Sequence, residues 1–166
     1  MHEKSIVLLN KAVADELSAV HQYMYFHFHL DDQGYDLLSG LFLRTAMQEM
    51  THVELLAERV LFLKGEVIMK ASNEVAPVHD VSEMLAMACR MEEGSIRDYN
   101  LWANECSANA DSATKKIFEQ LVSEEEVHFD QFDNELDKVK KFGERYLALQ
   151  SIERSKNLAA GAPPAA

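Results

Sequence analysis

Sliding the first half of the chain onto the second by 76 residues superposes Glu16 on Glu92, Tyr23 on Tyr99, Phe42 on Phe118, Glu49 on Glu125 and His52 on His128. Val20 falls on Ile96 at the same offset. A self-match at one fixed offset describes a chain made of two related units. In each unit a lone Glu precedes a second Glu by 33 residues, and that second Glu precedes a His by three. Residues at i and i+3 on an α-helix are about 60° apart and one turn along the axis, so Glu49/His52 and Glu125/His128 can each reach one ion.

Breakers are scarce, which makes those units helical. The only prolines are Pro77, Pro163 and Pro164. From Glu3 to Leu30 the apolar residues Val7, Leu8, Val13, Leu17, Val20, Met24 and Phe28 keep helical spacing. Asp31-Asp32-Gln33-Gly34 reads as a turn with Gly34 as the stop, and a second helix is expected from Tyr35 to Lys64, ending at Gly65. Residues 66 to 79 break the pattern and form the one long connection. Asp80-Val81-Ser82-Glu83 is a capping box opening a third helix to about Ser107. Asp111 caps a fourth running to Phe142 and stopped by Gly143, and a short fifth is expected from Glu144 to Arg154. The expected fold is all-α: a ferritin-like four-helix bundle of two hairpins, one long crossover and a short C-terminal helix. Residues 1–157 form that single domain, and the Ala/Pro-rich tail 158–166 reads as disordered from its composition.

With two Glu-x-x-His pairs and two lone glutamates converging in a bundle core, the charge needs an answer. Four buried carboxylates repel one another and resist desolvation. Two divalent cations carry the opposite charge, and two neutral imidazoles complete the coordination without adding to it. Such a ligand set is that of di-iron and di-manganese carboxylate bundles, and its mixed oxygen and nitrogen donors suit iron or manganese and, less selectively, zinc. The internal symmetry assigns Glu16 with His52 to one metal and Glu92 with His128 to the other, with Glu49 and Glu125 bridging. Any one of these residues alone would more often be a solvated or satisfied polar group. Glu124, Glu126 and Glu93 lack the matched spacings and go to the solvated class. Tyr23, two turns after Glu16, is either a core tyrosine or a hydrogen-bond donor and electron source for the metals. His2, His21, His27, His29 and His79 have no partner at ligand spacing.

Composition narrows the partners. A net charge of −12, with no basic block beyond Lys138-Val139-Lys140-Lys141, excludes nucleic acid and anionic membrane and draws cations in. No stretch approaches the ~20 apolar residues that cross a bilayer, and the N-terminus lacks a signal peptide's apolar region, so a cytoplasmic location is expected. Cys89 and Cys106 lie on one expected helix with Cα atoms about 25 Å apart, too far for a disulfide. Met50, next to Glu49, is rotated about 100° from the metal face. With Leu43 and Met47 it forms an apolar row of the kind that marks a subunit contact.

The stretches Asp15-Glu-Leu-Ser-Ala-Val-His-Gln-Tyr23, Gln48-Glu-Met-Thr-His-Val-Glu54, Ala57-Glu-Arg-Val-Leu-Phe-Leu-Lys-Gly-Glu66 and Glu124-Glu-Glu-Val-His128 resemble the bacterioferritins of the ferritin superfamily. The resemblance covers about residues 3 to 155. It implies that Glu16, Glu49, His52, Glu92, Glu125 and His128 are ferroxidase ligands. Met50 is implied to be an axial ligand of a haem b shared by two subunits. It further implies a 24-subunit cage that oxidises Fe(II) with dioxygen or hydrogen peroxide and stores the ferric mineral, with a ferredoxin-type reductant for its release. Arg44 and Gln48 stand where some members carry a His and an Asp that bind iron on the inner wall, so that accessory site does not carry over. The competing readings are a rubrerythrin-like peroxidase and a non-enzymatic helical scaffold with a structural metal or none. The first usually adds a Cys-x-x-Cys module that this chain lacks.

Overall fold

A computed structural model describes residues 2–161. Five helices follow in order: α1 (Glu3–Gln33), α2 (Asp36–Phe62), α3 (Val81–Ala108), α4 (Ser112–Phe142) and α5 (Glu144–Ala159). α1 packs along α2 and α3 along α4 as two hairpins, and residues 63 to 80 carry the chain between them. The expected bundle with one crossover is the observed fold.

The helix ends follow from local chemistry. Asp80 accepts a hydrogen bond from the Glu83 N–H (2.9 Å), and Asp111 accepts from the Thr114 N–H (3.1 Å), so both expected N-caps form. α1 differs from expectation by running three residues past Leu30, because Asp31, Asp32 and Gln33 complete its last turn. Gly34 is the stop: its φ of 86° lets its N–H turn back onto the Asp31 carbonyl. α2 starts at Asp36 and ends at Phe62, short of the expected Lys64. There the left-handed residue is Lys64 (φ 65°), while the Gly65 N–H reaches the Val60 carbonyl. Gly65 is needed for space: a Cβ at that position would lie 2.7 Å from Cγ2 of Ile6. α5 runs five residues beyond Arg154, to Ala159, whereas the rest of the tail (162–166) lies outside the described residues. Arg154 holds α5 to the α1–α2 turn through the Asp31 carbonyl and the carboxylates of Asp31 (3.2 Å) and Asp36 (3.0 Å).

The apolar core is in two pieces. One end packs Phe26, Leu30, Phe42, Met84, Leu85 and Phe132. The other packs Leu9, Val13, Leu56, Val60, Phe118 and Leu121. Between them lies a layer of buried polar side chains, each only 1–2% exposed: Glu16, Glu49, His52, Glu92, Glu125 and His128. Both slabs grip that layer through its tyrosines: Tyr23 tilts against Phe42 and Phe132, which stack at 4.8 Å, and Tyr99 tilts against Phe118.

A second buried charge sits at the far end. Asp111 (side chain 2% exposed) accepts from Arg59 Nη2 at 2.8 Å and from the Thr114 hydroxyl at 2.7 Å. Burial alone would raise its carboxyl, but Thr114, Ser5 and Arg59 outweigh it and hold the group at about 2. Its stabilising contribution is therefore full above the unfolded value near ~3.9 and is lost as pH falls through about 2. Arg59→Ala, which strips the cation from a buried carboxylate, should cost about 3 kcal/mol in denaturant unfolding. Asp111→Asn should flatten the acid limb of the stability curve; an unchanged limb would assign it to other groups. Among the described residues no helix is long and apolar enough to cross a membrane.

Candidate metal centre

Each of the four long helices turns one carboxylate into the polar layer, and α2 and α4 add a His one turn later. Two groups of potential ligands result, Glu16/Glu49/His52/Glu125 and Glu49/Glu92/Glu125/His128, with the ligand atoms of each group within 4.8 Å of one another. Both groups contain Glu49 and Glu125. His52 Nδ1 lies 3.5 Å from Glu16 Oε1, 2.9 Å from Glu49 Oε2 and 3.2 Å from Glu125 Oε1. His128 Nδ1 lies 3.1 Å from Glu49 Oε1, 3.0 Å from Glu125 Oε2 and 4.0 Å from Glu92 Oε2. Glu49 and Glu125 thus turn one oxygen toward each imidazole, while Glu16 and Glu92 stand at opposite ends. The rings of His52 and His128 are 5.8 Å apart and inclined by only 24°.

These residues suit metal ions better than they suit each other. Glu49 Oε2, His52 Nδ1 and Glu125 Oε1 are buried without a hydrogen-bond partner, although His52 Nδ1 lies 2.9 Å from the first oxygen and 3.2 Å from the second. Close in distance but out of hydrogen-bond alignment, they have the arrangement of donors aimed at a common cation. Burial raises the carboxyls of Glu16 and Glu92 well above their usual range, and repulsion from Glu49 and Glu125 adds to it. On Glu125 the imidazoles of His128 and His52 overcome the cost of burial and hold the carboxyl well below its usual range. Burial disfavours charge on His52 too, but Glu125, Glu16 and Glu49 outweigh it and push that imidazole far up. His128, likewise opposed by burial, is lifted to about 9 by Glu125 and Glu49.

A surrounding set orients the ligands. Tyr23 donates to Glu92 Oε1 and Tyr99 donates to Glu16 Oε1, each phenol reaching across to the other hairpin. Burial, then the neighbouring Glu92 or Glu16, raises both phenols well above their usual range, so they remain donors. Glu124, expected to be merely solvated, instead accepts from His52 Nε2 at 2.7 Å. Burial would raise its carboxyl, but Gln120 and His52 lower it on balance. Gln48 Oε1 accepts from His128 Nε2 at 3.1 Å. With each Nε2 holding a proton against its acceptor, each Nδ1 is left for a metal. The 76-residue shift already pairs Tyr23 with Tyr99 and Gln48 with Glu124, which was the available signal for these groups.

Met50 lies outside this layer, 41% exposed on α2 beside the equally outward Met47. Glu93 and Glu126 are solvent-exposed. His27 instead pairs with Ser39, and His79 with Tyr25. Cys89 and Cys106 are buried free thiols. A cavity of about 180 Å³ between α1, α3 and the crossover runs from Tyr23 and Glu92 to the exposed Asn73 and Arg90.

Four helices, one crossover and two carboxylate–histidine groups with shared bridging glutamates define a ferritin-like di-iron carboxylate protein. Residues 6–142 match the model of the ferritin-like domain. The bacterioferritin of Desulfovibrio desulfuricans is 34% identical over 145 residues, 87% of this chain and 81% of that protein. That of Brucella melitensis is 30% identical, over 85% of this chain and 88% of its own length. An X-ray structure of the Desulfovibrio desulfuricans bacterioferritin, described by its di-iron site in different catalytic states, superposes with a TM-score of 0.88 at 34% identity, covering 89% of this chain and 86% of that one. The chain belongs to the bacterioferritins. It is an iron-storage ferroxidase with a di-iron centre, and as a member of that family it assembles into an oligomeric cage.

Proposed function

We propose that Glu16 and His52 hold one iron and Glu92 and His128 the other, with Glu49 and Glu125 bridging the two. The observation that carries this is the pair of ligand groups that share Glu49 and Glu125 and no other residue. When bound, two Fe(II) ions supply one electron each to dioxygen or hydrogen peroxide. The protein's part is to arrange and to balance. Glu49 and Glu125 hold the ions at a fixed separation. Tyr23 and Tyr99 pin the outer carboxylates by donating to them. The cavity above Glu92 and Tyr23 is the route for ion and oxidant, and its Asp15 and Asp98 lining favours a cation.

Twenty-four copies form the cage in this reading, in the cytoplasm, with a ferredoxin-type protein as reductant for iron release. The negative charge of each chain suits a vessel that concentrates iron. Aerobic Fe(II) added to the purified protein should be oxidised within seconds and stay with a particle of about 450 kDa, twenty-four times the 18.8 kDa chain, on gel filtration. Iron oxidised no faster than in buffer, or a monomer on the column, would reject it.

Met50 is proposed as the residue that would hold a haem b shared between two subunits, its thioether supplying a ligand to the haem iron. Its outward position beside Met47, away from the metal layer, supports this. Met50→Leu should abolish the Soret band and leave iron oxidation within about twofold of wild type. Haem retained at full stoichiometry would place the ligand elsewhere.

A further inference from the structure

The pseudo-twofold that relates the two hairpins is obeyed by the six candidate ligands and by the two tyrosines that donate to them. Glu16 matches Glu92, Tyr23 matches Tyr99, Glu49 matches Glu125 and His52 matches His128, each with its own residue type. The outer partners of the imidazoles keep the symmetry in position but break it in charge. Gln48 and Glu124 are related by the same 76 residues, and each reaches across from its own helix to the His of the other. Glu124 of α4 faces His52 of α2, and Gln48 of α2 faces His128 of α4. One imidazole is therefore backed by a carboxylate at 2.7 Å and the other by a neutral amide at 3.1 Å.

We infer that the two metal positions are inequivalent, the His52 position binding a divalent ion more tightly than the His128 position, with Glu124 and Gln48 as the positioning residues that set the difference. The inference rests on the metal-centre reading above. A carboxylate that accepts from Nε2–H makes Nδ1 a stronger donor to the metal, and it adds a negative charge behind the ligand; an amide oxygen only orients the ring. Partners of this kind change metal affinity by roughly 10- to 100-fold. Glu124 is 42% exposed, so water screens part of its charge and the lower end of that range applies. The other direct partners match: both bridging glutamates offer one oxygen to each side, and each outer glutamate has its tyrosine, while the cavity that reaches Glu92 governs entry rather than donor strength. Functionally, the His128 position becomes the less occupied one at equilibrium and the one that exchanges first.

The test is an anaerobic Co(II) titration of the assembled, metal-free protein, followed by the visible absorption of the bound ion. It compares wild type with Glu124→Gln, Gln48→Glu and the double exchange; both substitutions preserve side-chain length. Wild type should take up two ions per chain in two steps about tenfold apart in affinity. Glu124→Gln should merge the steps by weakening the first, and Gln48→Glu by strengthening the second. The double exchange should restore two steps, and in crystals soaked with one equivalent of Co(II) its anomalous density should move from His52 to His128. Two ions of equal affinity in wild type, or a separation indifferent to both single exchanges, would overturn the inference and leave the metal centre standing. Absence of Co(II) binding in wild type would overturn the metal-centre reading and this inference with it.

Discussion

Glu125→Ala should slow iron oxidation at least about a hundredfold while leaving the bundle folded. Like Glu49, Glu125 turns one oxygen to each imidazole, at 3.2 Å from His52 and 3.0 Å from His128, so its removal takes a ligand from both metals at once. Loss of an outer partner alone costs up to about a hundredfold in affinity or activity, and a shared inner ligand should cost no less. The fold should survive because the two apolar slabs that flank the layer are untouched by the substitution. The measurement is a stopped-flow oxidation trace alongside circular dichroism. Wild-type rates in the variant would remove Glu125 from the centre.

The second large effect is on protons. Four carboxyl groups and two imidazoles reach zero net charge by sharing four protons, and two divalent cations supply the same four positive charges. Burial favours that neutral state before metal arrives. Carboxylate neighbours hold protons on His52 and, up to about 9, on His128; burial and repulsion raise Glu16 and Glu92. Metal must displace these protons, so lowering the pH competes with binding and raising it helps. Anaerobic Fe(II) added near neutral pH should release at least two protons per chain, those of the two imidazoles, before any oxidant is present. The combined affinity for the two ions should then change by at least about two decades per pH unit. A pH-stat titration reads this directly. Release of fewer than two protons per chain would mean that the imidazoles do not carry the charge assigned to them.

Much of this was legible in the chain itself. Helical periodicity and the 76-residue shift are one-dimensional signals, and they led to the bundle, its crossover and the convergence of Glu16, Glu49, His52, Glu92, Glu125 and His128. Glu124 was missed because its role crosses from one helix to another. Within Glu124-Glu125-Glu126 each residue turns about 100° from the last, and spacing alone identifies only the one facing the core. A side chain on the flank, long enough to reach His52 on α2, looks like any solvated Glu until both helices are in place. Gln48 was hidden for the same reason, though its pairing with Glu124 was already written in the repeat. Helix ends were misplaced where a side chain rather than a backbone preference decides them. Lys64 takes the left-handed turn expected of Gly65, whose missing Cβ makes room for Ile6. α5 outruns its weak periodicity, and Arg154, where it was expected to stop, ties it to Asp31 and Asp36.

The most direct measurement is an anaerobic Fe(II) titration of the metal-free wild-type protein, followed by admission of oxygen. Binding should saturate at two Fe(II) per chain, and both ions should be oxidised together in a single fast phase. Saturation below two, or bound iron that oxidises no faster than free Fe(II), would mean that this acidic layer is not a two-metal centre.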